Sequence, residues 1–491
     1  MLIIICLCRM TMKKAKKKVT RKPPKKNKQR KSSLKLSKKQ LVIYIYNVVE
    51  DEWSFLSSIQ PIEKRFEMIN DCNDSSECYL FANAGETEFI YISPIEISSS
   101  FKNYFQSITH NKKVDIFVPQ KRTGLICKDL YTDKQLFSDL VQKAKKYKKV
   151  KLISYSTSPE FLELKDRMIQ LGLDVYTPEA PEIENAWTVN FYGSKSGIRQ
   201  LAQQSRAIEP DFIMPEGVIC VGKLDAAKIA ANTYIREKGV VLKTNKGSGG
   251  HGVLIFREGE LPKDYKSCEK RIYELLSEDG YWERFPIIIE ELISVDYAAF
   301  GANPNIEFKI HRSGKIEMLY YCVMMVTKEG KYYGLDIHED VLNERTAARI
   351  TDTGYYIAEK YAEEGYRGHF DVDMIAGKNS HIYVCESNTR NTGGTDIYKL
   401  VYDLYGEDFF SDVYVLNRNN YKFKSQTSPS FEKLINVLKP IVYDKKKKEG
   451  VIISSAAPIK DKQLLYTILG KTKRRAYQLQ EDMFALLQQI S

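Results

Sequence analysis

The sequence predicts an α/β domain with a parallel sheet, followed by an α+β region built from antiparallel hairpins. Three observations support this. Between Leu41 and Glu179, short β-rich runs alternate with helix-length amphipathic segments, as in a parallel sheet covered on both faces. From Gly239 onward, strand-like runs come in pairs joined by turn residues. The chain then closes on two short strands and an amphipathic helix after Glu449.

The first domain is expected at residues 40–189. LVIYIYNVV (Leu41–Val49) reads as its opening strand and FLSSIQPIEKRFEMIN (Phe55–Asn70) as a helix. TEFIYIS, VDIFVP, VKLISYS and LDVYTPE follow as strands, separated by helices in SSSFKNYFQSITH, LFSDLVQKAKKY and SPEFLELKDRMIQLG. No glycine fingerprint follows the first strand, so this domain does not read as a dinucleotide site. A boundary near Pro178–Asn190 leads into a second domain at 190–415, and a small module is expected at 416–491.

Within the second domain, Lys195 opens a helix that ends before Pro210, and GKLDAAKIAANTYIREKG forms another. Gly247-x-Gly249-x-x-Gly252 then lies between two strand-like runs, VVLKT and VLIF. A dinucleotide fold would have these glycines open a helix, and the sequence lacks GxxxxGK[ST], so neither a Rossmann site nor a P-loop is indicated. No HRD-type loop or DFG follows, which argues against a protein kinase. The glycines instead read as a hairpin whose backbone N–H groups can meet phosphates, with Lys243 adding charge and His251 inside the loop. FPIIIEELIS is a buried strand ending in paired acids, and IEFKIHRSGKIEMLYYCVMMV is an antiparallel hairpin turning at Arg312–Gly314. ARITDTGYYIAEKYAEEGY reads as helical.

The formal net charge of +12 is concentrated at one end. Residues 1–39 hold 16 Lys/Arg and no acid, leaving 59 basic against 63 acidic residues, a balance of −4, for the remainder. The body therefore makes no electrostatic case for nucleic acid, and only the tail, expected to be disordered, could contact it. MLIIICLC is too short to span a bilayer and lacks the features of a signal peptide; translation is expected to start at Met10 or Met12. The nine cysteines form no CxxC pair or zinc spacing, which together with the missing signal favours a reducing cytoplasm.

The most informative stretch is GHFDVDMIAGKNSHIYVCESNTRNTGGT (Gly368–Thr395). If Lys378 and Asn379 form a two-residue turn, Asp371 and Asp373 share a sheet face with Glu386 and Asn388, and Arg390 lies just beyond. Grouped oxygen ligands suit Mg²⁺ completed by phosphate oxygens. Gly393-Gly394 let backbone amides approach an anion, and DIYKLVYDLYG adds a helix N-terminus. From these residues the chain reads as a metal–nucleotide site.

The order of these elements resembles the ATP-grasp superfamily, and over residues 40–491 it looks most like the pheganomycin-type peptide ligases. That resemblance implies an ATP-grasp fold preceded by a Rossmann-like pre-ATP-grasp domain and followed by a small C-terminal α+β module. It further implies that Lys195 and Lys243 contact ATP phosphates, with Lys246, Gly247, Ser248, Gly249, Gly250, His251 and Gly252 closing over them. Glu290, Glu291 and Ile293 would meet adenine and ribose, with Asp296 a further ribose candidate. Asp373, Glu386 and Asn388 would bind Mg²⁺, and Arg390 would steady the transferred phosphoryl group or the substrate. The implied activity is ATP-dependent amide formation through an acyl phosphate, on amino acid or peptide substrates. A second reading loads an amino acid onto an acyl carrier protein thiol. A third is a non-catalytic nucleotide-binding protein with a nucleic-acid-binding tail.

Overall fold

Three sheets follow one another along the chain in the computed structural model, which describes residues 40–248, 250–297, 301–327, 329–425 and 427–490. The basic tail and Gly249 lie outside the described residues. Residues 39–491 form one compact unit, and no described helix is long and apolar enough to cross a membrane.

The first sheet contains β1 (Gln40–Ile45), β2 (Glu88–Ile92), β3 (Lys113–Phe117), β4 (Lys149–Ser154) and β5 (Val175–Tyr176). All are parallel, in the order β3-β2-β1-β4-β5, so the direction of winding switches between β1 and β4. The opening strand is shorter than expected. It stops at Ile45, and α1 (Val48–Leu56) starts within the run read as strand. Asn47 enforces the bend: its side chain donates to Ser156 O (2.9 Å) and accepts from Ser156 N (3.1 Å), just past β4. Glu50 and Asp51 then fall in the first turn of α1, where the helix dipole favours acids. The helix expected over Phe55–Asn70 is also divided. A new one runs Ile62–Asp74 after Pro61, which lacks an N–H to continue a helix.

The second sheet contains β6 (Gly217–Cys220), β7 (Val240–Ser248), β8 (His251–Phe256) and β9 (Ile287–Glu290), antiparallel in the order β6-β9-β7-β8. β7 and β8 form the glycine hairpin. Gly252 has φ +81°, and a Cβ there would meet Thr244 Cγ2 at 2.2 Å, so only glycine fits this turn.

The third sheet joins β10 (Pro304–Ile310), β11 (Ile316–Val326), β12 (Tyr332–Ile337), β13 (Gly368–Ala376), β14 (Ile382–Asn388), β15 (Tyr414–Lys422), β16 (Gly450–Ser455) and β17 (Gln463–Gly470). Their order is β14-β13-β10-β11-β12-β15-β17-β16, so the closing strands extend the sheet that carries the acidic stretch. The helix Glu344–Glu363, capped by Asn343, packs against β10.

The turn between β13 and β14 is longer than the two residues expected. Gly377 N donates to His381 O at 2.8 Å, leaving three residues between them. One extra turn residue alone would send Glu386 to the opposite face. A β-bulge between Asp373 and Met374 restores the parity, so that Asp371 lies opposite Asn388 and Asp373 opposite Glu386.

Candidate active site

A cavity of about 910 Å³ is lined by residues of the second sheet, the third sheet and α1. Lys195 is the first residue of α2 (Lys195–Ser205), where Ser194 accepts from Gly197 N. Its Nζ lies 2.7 Å from Glu386 Oε2. One turn further, on the same helix face, Arg199 donates to Glu290 Oε1 at 2.5 Å. Lys243 on β7 reaches Glu290 Oε2 at 2.7 Å. Burial alone would raise the Glu290 carboxyl, but the Lys243 and Arg199 cations hold it below the usual range. Burial likewise works against the Lys243 ammonium, and Glu290 holds it above the ordinary lysine value. Glu290 is thus engaged with two cations, and it lines the cavity together with Glu291, Leu292 and Ile293. Glu291 Oε1 accepts from Glu216 N at 3.0 Å.

Lys246 contacts the carbonyls of Asn190 (3.2 Å) and Gly193 (3.4 Å), and burial lowers its pKa. Gly247, Gly250 and His251 also line the cavity; burial lowers the pKa of the His251 imidazole. Ser248 pairs with His251 in the hairpin backbone. Gly252 and Asp296 are not part of the lining, and Asp296 N donates to Ala376 O at 3.0 Å.

Across the cavity, Asn305 lies opposite Asp373 on one side and Cys322 on the other, so β11, β10, β13 and β14 carry one continuous row. The Asn305 amide donates to Asp371 (2.9 Å) and Asp373 (2.7 Å), and the Asn388 amide to the same pair at 3.0 and 3.2 Å. Burial and the neighbouring Glu307 raise the Asp371 carboxyl; burial, Asp371 and Glu386 raise that of Asp373. Lys195 holds Glu386 low. Among the described residues, no group of three or more His, Cys, Asp or Glu side chains is arranged to hold a metal ion. Asp373 and Glu386 supply two carboxylates and Asn388 an amide oxygen. This set fits a hard divalent cation completed by phosphate oxygens, and the crowded charge on Asp371, Asp373 and Glu386 is what such a cation offsets.

Arg390 ties this face to the first sheet. Its Nε lies 2.9 Å from Asp51 Oδ2 on α1, and its Nη1 donates to Tyr155 Oη at 2.8 Å. The guanidinium stands 5.4 Å from the Tyr155 ring centroid. The next residue, Asn391, donates to Ser154 O (3.1 Å) and Tyr155 O (2.9 Å) at the end of β4. Open α/β sheets bind ligands in the crevice where the winding switches. Here the loop after β14 is docked at that switch point.

The loop is held from below by Glu307, which has no exposed surface. It accepts from Tyr320 Oη (2.6 Å), Thr392 Oγ1 (2.9 Å) and Thr395 Oγ1 (2.7 Å), with His369 Nδ1 at 3.1 Å. Gly394 permits this packing, since a Cβ there would lie 2.0 Å from Tyr320 Oη.

The cavity therefore gathers Lys195, Lys243, Lys246, Gly247, Gly250, His251, Glu290, Glu291, Ile293, Asp373, Glu386, Asn388 and Arg390. Sequence reasoning missed Arg199, Asp51, Tyr155, Asn305 and Glu307. Arg199 was discoverable, four residues after Lys195 on one helix face. The others depend on contacts between elements distant in sequence.

No protein-family model and no curated protein matches the sequence. Solved structures do. Biotin carboxylase from Campylobacter jejuni aligns with a TM-score of 0.52 at 13% identity, covering 89% of this chain and 88% of that one. N5-carboxyaminoimidazole synthase from Aspergillus clavatus, in complex with ADP and its aminoimidazole ribonucleotide, aligns at 0.52 and 11% identity, covering 91% and 99%. The Staphylococcus aureus N5-carboxyaminoimidazole synthetase, complexed with ADP, aligns at 0.50 and 9%, covering 91% and 97%. These neighbours are ATP-grasp ligases, and likeness at such identities is one of architecture. The chain has the ATP-grasp fold.

Proposed function

We propose that this chain is an ATP-dependent carboxylate–amine ligase that joins amino acids or peptides and releases ADP and phosphate. The supporting observation is the convergence of Lys195 from α2, Lys243 and Lys246 from β7, and Arg390 from the loop after β14, on a cavity face bearing Asp373 and Glu386. Four cations suit a triphosphate and an anionic substrate together. The β9 end at Glu291–Ile293 offers an edge for adenine, and the similar structures from Aspergillus and Staphylococcus are complexes with ADP. Bound Mg²⁺, held by Asp373, Glu386 and Asn388, would neutralise charge on the terminal phosphates.

In the proposed reaction a substrate carboxylate oxygen bonds to the γ-phosphorus while the bond from that phosphorus to ADP breaks. The amine nitrogen then bonds to the acyl carbon, the carbon–oxygen bond to phosphate breaks, and the surplus amine proton is lost. Lys195, Lys243 and Arg390 align the reactants and spread the developing charge, so no nucleophilic side chain is required. The glycine hairpin excludes water from the acyl phosphate. Residues 40–189 would form the wall behind Arg390, 190–415 the nucleotide site and 416–491 the sheet extension. The absence of a cysteine pairing pattern accords with a cytoplasmic setting.

The experiment is a nucleotide-product assay against a panel of amino acids, peptides and carrier-bound thiols. ADP and phosphate are expected, and AMP with pyrophosphate would overturn the proposal. ADP release dependent on a carrier would assign the acceptor as a thiol.

A second measurement addresses Arg390. Asp51→Asn keeps the shape of the side chain but removes the charge opposite Nε. Turnover is expected to fall by up to ~10²-fold through misplacement of the guanidinium, with the KM for ATP within about twofold. Steady-state kinetics with each substrate varied would check this, and an equal loss of ATP affinity would count against it.

A further inference from the structure

The third sheet changes chemistry strand by strand across its cavity face. β14 and β13 present Glu386, Asn388, Asp371 and Asp373, and β10 follows with Asn305. β11 and β12 present Cys322, Met324, Val326, Tyr332 and Leu335, with Tyr320 at the near end, and none of these is charged. Pairing fixes their places: Cys322 lies opposite Asn305, and Met324 opposite Leu335. With strands roughly 4.8 Å apart, β11 stands about 10 Å and β12 about 15 Å from the acidic strand β13.

The loop that continues from Arg390 packs against this wall. A Cβ on Gly393 would stand 3.6 Å from the Tyr332 ring, so bare backbone faces the aromatic surface. Tyr320 contributes its ring, because its hydroxyl is engaged by Glu307 at 2.6 Å. Cys322 and Leu335 are buried, Met324 and Val326 half-buried, and Tyr332 is 38% exposed. The last three therefore offer the accessible apolar surface.

We infer that the β11–β12 end of the cavity is the side-chain pocket of the carboxylate substrate, and that it takes an amino acid with a large aliphatic or aromatic side chain. The inference rests on the ligase reading and adds a substrate class to it. A charged side chain placed against Met324, Val326 and Leu335 would lose hydration against three uncharged side chains. An apolar one is favoured by burial, and its carboxylate is directed along the loop toward Arg390 and the phosphate end. Met324, Val326 and Tyr332 are the specificity-determining residues.

The test is titration of the MgADP-saturated protein with L-leucine, L-phenylalanine, L-serine, L-aspartate, L-lysine and L-leucinamide. Calorimetry and melting temperature provide the readouts. Leucine and phenylalanine are expected to bind at least ~10-fold more tightly than serine, aspartate or lysine. Leucinamide, lacking the carboxylate, should bind more weakly than leucine. Met324→Glu should shift the preference toward lysine. Tyr332→Ala, at a position 38% exposed, should weaken phenylalanine binding with MgADP affinity unchanged. Tightest binding of aspartate or lysine by the wild-type chain, or no binding of any amino acid, overturns the inference. So does an unchanged preference in Tyr332→Ala. Failure to bind MgADP overturns the nucleotide reading instead, and the same titration without nucleotide then decides the pocket.

Discussion

Glu386→Gln is expected to lower turnover at least ~10²-fold while leaving the melting temperature of the free chain nearly unchanged. The substitution preserves size and hydrogen bonding but removes one of two carboxylates available to a hard cation. It also frees Lys195, now 2.7 Å from Glu386 Oε2, from its partner. The Glu386 side chain is 35% exposed, so little packing depends on it. Turnover measured across a Mg²⁺ titration is the check, with Asp371→Asn as the contrast. Asp371 accepts the amides of Asn305 and Asn388 and lies outside the proposed ligand set, so its loss should cost about tenfold or less. Near-normal activity of Glu386→Gln at limiting Mg²⁺ would remove the basis for the metal assignment.

Glu290→Gln should produce the largest stability effect, because Glu290 neutralises two cations at once. Its side chain is 3% exposed, against 5% for Arg199 and 13% for Lys243. Removing one partner of a buried ion pair leaves uncompensated charge and costs about 3–5 kcal/mol. Glu291→Gln, at the half-buried cavity rim, should change stability by no more than about 0.5 kcal/mol. Urea denaturation of the two variants compares them directly. Equal midpoints would show that the triad is not structural.

Much of the first domain was readable because its alternation is local. The β-rich runs became β1 to β5, and Ser158 caps the helix Pro159–Gln170 that periodicity indicates. The strand reading failed at Val48 and Val49. Both are β-branched, yet Asn47 bonds across to Ser156, 109 residues away, and turns the chain into a helix. A single-sequence window cannot contain that partner.

Backbone periodicity was enough to show which neighbouring side chains share a surface. Period-two alternation put Asp371 and Asp373 on one face, and the helix pattern put Lys195 at a helix start. These are consequences of backbone geometry within one element. The remaining relations came from packing between elements. The five-residue span from Gly377 to His381 and the bulge beside Asp373 each shift the register by one, and their combination keeps Glu386 on the site face. Glu290 became the partner of Lys243 and Arg199 because α2 packs beside β7 and β9, a relation that no spacing encodes. Arg390 found Asp51 and Tyr155 because the loop after β14 docks where the first sheet switches direction. Contacts between elements hundreds of residues apart depend on how whole faces pack, and local pattern carries no information about that.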